Sequence, residues 1–199
     1  MKATAAVLIV LLSAGFALAA ADQPVTREQA LAALADKHSV ESRRLGAAHL
    51  GETGQMQDVP LLIEALRDPD VLVTGLADQS LWKIWARSGD PDVDVVFQHG
   101  VDQMNQQDFS EAIETFSQII QKKPDFAEAW NKRATIYFLI GEYQKSLADC
   151  EEVLRRNPVH FGVLSGFGLN YIGAAPPAPQ LCKTHLPAFT CFDRYSASW

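Results

Sequence analysis

From Thr26 to Leu154 the apolar residues return at a spacing near that of a helix turn, and no Val/Ile/Thr-rich alternating run suggests a sheet. Thr26 and Gln29 have the spacing of a capping box ahead of Leu31 and Leu34, which predicts a first helix there. A second is expected over residues 40–50, with Gly51 and Gly54 bracketing its end. Asp58 and Pro60 suit the start of a third over residues 59–67, and Asp68-Pro69-Asp70 breaks the chain before a fourth over residues 71–87. Ser88-Gly89-Asp90-Pro91 breaks it again.

Internal repetition sorts these helices into groups. In the first half, the pairs Leu45/Leu50 and Leu76/Leu81 lie 31 residues apart, each in an apolar helix that follows a turn. The stretch DVPLLIEALRDPDVLV resembles the second helix of a HEAT-type repeat running into its neighbour, and the resemblance covers residues 40–88. The basic residue common early in the first helix of such units is not evident near Val73-Thr74, so a generic helical hairpin stays open here.

The second half repeats more sharply. A shift of 34 residues lays Gly100 on Ala134, Phe109 on Tyr143, Ala112 on Ser146, Phe116 on Cys150, Ile119 on Val153 and Pro124 on Pro158. Small residues fall where two helices must approach, large apolar ones where their faces fill a groove, and prolines where each pair ends. In residues 127–160, Trp130, Ala134, Tyr137, Gly141, Tyr143, Ser146 and Pro158 stand at the signature places, and this stretch resembles the tetratricopeptide repeat. Residues 93–126 match less fully, with Val96 in place of a large aromatic and Gln103 in place of a tyrosine. A third unit begins with Leu164, Gly168 and Tyr171 and loses the pattern after Ile172. Pro176, Pro177 and Pro179 forbid its second helix. The expected fold is all-α, a right-handed helical-repeat solenoid of antiparallel helix pairs. Its expected divisions are HEAT-like hairpins over 22–90, tetratricopeptide-like repeats over 91–172 and an irregular tail over 173–199. That tail reads either as a cap over the open end of the array or as an altered reading frame. An uncovered third unit would favour self-association.

The start of the chain stands apart. Lys2 precedes an uncharged, mostly apolar run that closes on Ala19-Ala20-Ala21, the pattern of a secretory signal peptide over residues 1–21. A retained membrane anchor is the alternative, since the run is borderline for a bilayer. An exported, periplasmic or extracellular chain follows from the first reading. A net charge of −7 argues against binding nucleic acid through overall charge.

Candidate chemistry is sparse. His38, His49, His99, His160 and His185 do not form a metal-ligand spacing, no Cys-x-x-Cys is present, and no phosphate loop, dinucleotide fingerprint or nucleophile elbow occurs. No catalytic residue, metal or cofactor is expected, although an enzyme whose site has no sequence signature stays an alternative. Cys150 takes a place normally filled by a large apolar side chain and reads as a buried thiol. Cys182 and Cys191 are spaced to permit a disulfide within an exported tail. Trp82 and Trp85 read as core packing rather than a ligand platform.

The repeat resemblance implies a protein or peptide partner on the face made by the first helix of each unit. Carried onto this register, that face holds Asp94, Phe97, Val101, Met104 and Asn105, then Glu128, Asn131, Thr135, Phe138 and Leu139, continued by Ser165 and Leu169. The surface is apolar and mildly acidic. It lacks the basic clamp with which some members of this family hold acidic C-termini, so a neutral, apolar or basic segment is the expected guest. The reading is a non-enzymatic adaptor or scaffold, with a self-associating structural protein as the alternative.

Overall fold

A computed structural model describes residues 25–174. The predicted signal segment, the proline-rich tail and both tail cysteines lie outside the described residues. The described chain is all-helical, in antiparallel pairs, and falls into two compact units divided between Trp85 and Ala86.

The first unit contains α1 (Arg27–Leu34), α2 (Val40–Thr53), α3 (Val59–Ala65) and α4 (Val71–Trp85). The capping box at the start of α1 is formed: the Gln29 amide donates to the Thr26 hydroxyl at 3.2 Å, and the Thr26 amide to Gln29 Oε1 at 2.8 Å. α2 runs past the expected residue 50, through Gly51, and ends between the two bracketing glycines, with Gly54 as its cap. The reason is packing: Gly51 faces Ser80, where a Cβ would come within 2.8 Å of the hydroxyl oxygen, so this glycine admits α4 and does not end the helix. α3 starts from a 3-10 turn, Met56–Asp58, and is shorter than predicted. Leu34, Leu50, Leu62, Val73, Leu81 and Trp85 are buried here, and Trp82 sets its ring edge-on to Trp85 at 5.4 Å.

Three arginines fasten the turns to the helices. Arg27 grips Asp58 through two hydrogen bonds, Arg43 grips Asp68 at 2.7 and 3.2 Å, and Arg44 grips Asp70 at 3.0 and 2.7 Å. Forked guanidinium–carboxylate pairs fix geometry as well as charge. Asp70 also caps α4, accepting from the amides of Leu72 and Val73 at 3.1 and 3.0 Å.

The second unit contains α5 (Pro91–Asn105), α6 (Phe109–Lys122), α7 (Ala127–Leu139), α8 (Tyr143–Arg156) and α9 (Phe161–Ala174). The 34-residue period persists in its backbone. Gln107 and Gly141 hold the same left-handed position, with φ of 66° and 80°. The amide of Asp108 donates to Gln103 and that of Glu142 to Tyr137; likewise Lys123 donates to Ile119 and Asn157 to Val153. One core gathers Phe97, Phe116, Ile119, Phe126 and Ile136, and Phe97 lies 5.7 Å from the Phe116 ring and 5.1 Å from that of Phe126. Gly100 makes room for this packing, since a Cβ there would come within 2.9 Å of the Phe116 ring. A second core joins Ala134, Cys150, Val153 and Val163, with Trp130 packed against both.

Candidate functional site

The residues expected on one face have separate fates. Phe97 is buried in the core, and Val101 and Met104 pack against it. The Asp94 carboxylate accepts from the Ser88 amide at 2.7 Å and so fixes the chain entering α5. Asn105 and Leu139 are exposed at the ends of their helices. Glu128 is buried. Phe97 and Glu128 are therefore not available to a partner as the helix register alone suggests, because aromatic packing takes one and an ion pair the other.

Asn131, Thr135 and Phe138 are brought together. They stand one turn apart along α7 and form one wall of a cleft of about 160 Å³. Ser146 and Cys150 of α8 lie at its back, and Val163, Ser165, Leu169 and Asn170 of α9 close the opposite side. Ser165 and Leu169 thus continue the α7 surface. Gly166 faces α8, where a Cβ would lie 3.7 Å from Cys150 Sγ, in ordinary contact. Phe138 is braced by Tyr143, ring centroids 5.9 Å apart.

The polar groups of the cleft have fixed directions. The Ser146 hydroxyl donates to the Ala134 carbonyl at 2.8 Å and the Thr135 hydroxyl to the Asn131 carbonyl at 2.9 Å. Asn131 Nδ2 donates to Glu128 Oε1 at 3.0 Å, and Asn170 Nδ2 to the Gly166 carbonyl at 2.8 Å. Each acceptor is a carbonyl or a carboxylate, so neither amide can be reversed without losing its bond.

Behind the α7 wall sits a buried polar cluster that the sequence reading missed. His160, just before α9, is fully buried, and its Nε2 lies 3.0 Å from Glu128 Oε2. The Val163 amide is shared between the His160 carbonyl at 3.2 Å and His160 Nδ1 at 3.3 Å, which suits a lone pair on Nδ1 and the proton on Nε2. His160 therefore caps α9 with one nitrogen and ties it to α7 with the other. Lys132 Nζ lies 3.1 Å from Glu128 Oε1. Burial pushes the Glu128 carboxyl up, but the His160 hydrogen bond, the Lys132 charge and the Asn131 amide outweigh it and hold the group below its ordinary value. The 34-residue comparison sets His160 on Phe126, a nonpolar residue that makes no side-chain cap, so the repeat gave no signal of the pair.

A second cluster stiffens α7 against α8. Arg133 grips Asp149 at 2.8 Å through two nitrogens, donates to the Ser117 hydroxyl at 2.8 Å, and lies over the Trp130 ring at 5.1 Å. Arg156 covers the same indole at 4.6 Å. These arginines are structural clamps, Arg133 held by Asp149 and Ser117 and Arg156 by Glu152 and the Pro124 carbonyl. Cys150 is the buried thiol expected; burial pushes it up to about 11, which keeps it protonated and poorly nucleophilic at neutral pH. Among the described residues no three His, Cys, Asp or Glu side chains group as metal ligands, and no helix is long and apolar enough to cross a membrane.

Antiparallel helix pairs at a 34-residue period, with a cleft bounded by successive pairs, define a helical-repeat protein of the kind that presents side chains from first helices. Residues 97–160 match the tetratricopeptide repeat family. Over 100 residues the chain is 37% identical to a TPR repeat-containing protein of Rhizobium etli, a match covering 50% of this chain and 48% of that protein. The chain thus spans about half the length of that relative. No solved structure matches.

Proposed function

We propose that this is an exported, non-enzymatic adaptor that holds a segment of another protein in the cleft between α7, α8 and α9. The observation that carries the reading is that cleft: three successive repeat helices converge on it, and its walls mix apolar side chains with amides and hydroxyls. Tetratricopeptide repeats are generally associated with protein–protein interaction. The buried clamps behind the cleft hold its α7 wall, which suits recognition by a preformed surface. The signal-like run over residues 1–21 supports export, and the helix pairs of the first unit support its HEAT-like reading.

A photo-crosslinking residue placed at Ser165, on the cleft rim, tests the reading. It is expected to trap a protein partner in cells, while the same residue at Glu151, exposed on α8 outside the cleft lining, traps none. Loss of the adduct when Leu169→Arg fills the cleft would complete the case. Equal labelling from both positions would refute it.

One observation favours a second reading, self-association. Leu164, Leu169, Tyr171 and Ile172 of α9 are each more than half exposed. Under that reading, light scattering gives a multimer that Ile172→Asp dissociates.

A further inference from the structure

The polar groups of the cleft are not balanced between donors and acceptors. The Ser146 and Thr135 hydroxyl protons and one proton of each asparagine amide are spent on fixed acceptors within the protein. The side-chain oxygens of Asn131 and Asn170 and the oxygen of Thr135 are left to accept, beside the second N–H of each asparagine amide. Asn170 is the sharper case: the residue is 1% exposed and lines the cleft, yet no group of the protein donates to its Oδ1. A buried acceptor without a donor costs on the order of 1–3 kcal/mol, and a guest that brings the missing N–H recovers it. Ser165, exposed at the rim, can turn its hydroxyl either way and does not alter the balance. No cation lines the cleft. Around it, the second unit carries 13 acidic and eight basic residues over 86–174, a net charge of −5.

We propose that the cleft selects a basic side chain, a lysine within the bound segment, and this rests on the reading of the cleft as a protein-binding site. The aliphatic stem lies against Phe138 and Leu169, and the ammonium donates to the oxygens of Asn131, Thr135 and Asn170. An ammonium offers three donors and no acceptor, which matches a wall that offers acceptors. A carboxylate brings no donor for these oxygens and meets a net negative unit around them. A purely apolar side chain fits the volume but leaves Asn170 Oδ1 unsatisfied. The cleft, at about 160 Å³, has room for one side chain of this size and not for a helix.

The test uses the full chain and three short capped peptides, identical except for a central lysine, norleucine or glutamate. Binding is followed by NMR titration of the asparagine side-chain amides. The lysine peptide is expected to bind about tenfold more tightly than the norleucine peptide, the value of one added charge-assisted hydrogen bond, with the glutamate peptide weakest. Asn170→Leu, close in size but with no acceptor, is expected to reduce the lysine peptide to the norleucine level without changing norleucine binding. Thr135→Val, at a half-exposed position, is the second variant and is expected to narrow the preference if Asn170→Leu disturbs α9. Equal binding of lysine and norleucine peptides, or a lysine preference that survives both substitutions, overturns the assignment while leaving the cleft a protein-binding site. No binding by any of the three overturns both.

Discussion

Replacing Glu128 by alanine separates α9 from α7, and the cost can be worked from the contacts. The carboxylate receives His160 Nε2 at 3.0 Å, Asn131 Nδ2 at 3.0 Å and lies 3.1 Å from Lys132 Nζ. Lys132 and Asn131 are partly exposed and turn to water when the carboxylate goes. His160 is fully buried and loses its hydrogen bond to the carboxylate at a cost of about 1–3 kcal/mol. The void left by the carboxyethyl group adds roughly 1 kcal/mol. The sum, about 2–4 kcal/mol, sits at the lower end for breaking a buried pair because Lys132 is rescued by solvent. Glu128→Gln keeps an acceptor for Nε2–H and should cost only about 1 kcal/mol. Two readouts are needed because the chain has two compact units: urea unfolding for magnitude, and amide hydrogen exchange for place. The Val163 amide, which donates to His160 Nδ1, should lose protection first and most. In a double-mutant cycle with His160→Gln, the coupling should be about 1–2 kcal/mol. Should Glu128→Ala shift stability by less than about 0.5 kcal/mol with α9 exchange unchanged, the tether does not exist.

Three further outcomes are expected. Gly141→Ala forces a side chain into a left-handed backbone with φ of 80° and should destabilise the second unit by about 1–2 kcal/mol in urea, whereas Gln107→Gly, at the equivalent turn, should be neutral or stabilising. The Asp70 carboxyl is held down at about 2, from an ordinary 3.8, by its hydrogen bonds from Arg44. Its folded value lies below its unfolded one, so its contribution is complete above the unfolded value and is lost as pH falls through about 2. Thermal unfolding between these limits should be less steep in pH for Arg44→Gln, and an unchanged slope would count against the pair. Cys150, raised to about 11, should resist alkylation in the native chain at pH near 8 and react on unfolding, as read from the peptide that contains it; rapid native labelling would contradict its burial.

The repeat half was legible because its period is enforced at every level. Phe116, Cys150, Ala112 and Ser146 are confined by helix–helix approach, so residue size alone reveals the register. The same logic put Asn131, Thr135 and Phe138 on one face of α7, and they line one cleft. It failed at Glu128 and Phe97, since a helical wheel gives direction and not depth. Glu128 is buried because His160 arrives from the next pair, a residue outside any local pattern. In the first unit, Gly51 misled because a glycine that admits a neighbouring helix looks the same as one that stops its own. The three Arg–Asp grips were illegible too, being separated by 25 to 31 residues along the chain. Asp58 was legible only as a helix start, and Asp68 and Asp70 only as chain breakers.

His160 stands at the junction through which α9 reaches the cleft, and α9 supplies one whole side of that cleft. If the cleft binds as proposed, recognition is coupled to a folding step of a single helix. Whatever fraction of molecules has α9 undocked is unable to bind, and the measured dissociation constant equals the intrinsic one divided by the docked fraction. A guest that needs the closed cleft must in turn slow the exchange of α9 amides. Under the proposed reading, affinity is set in part by a residue that no guest touches.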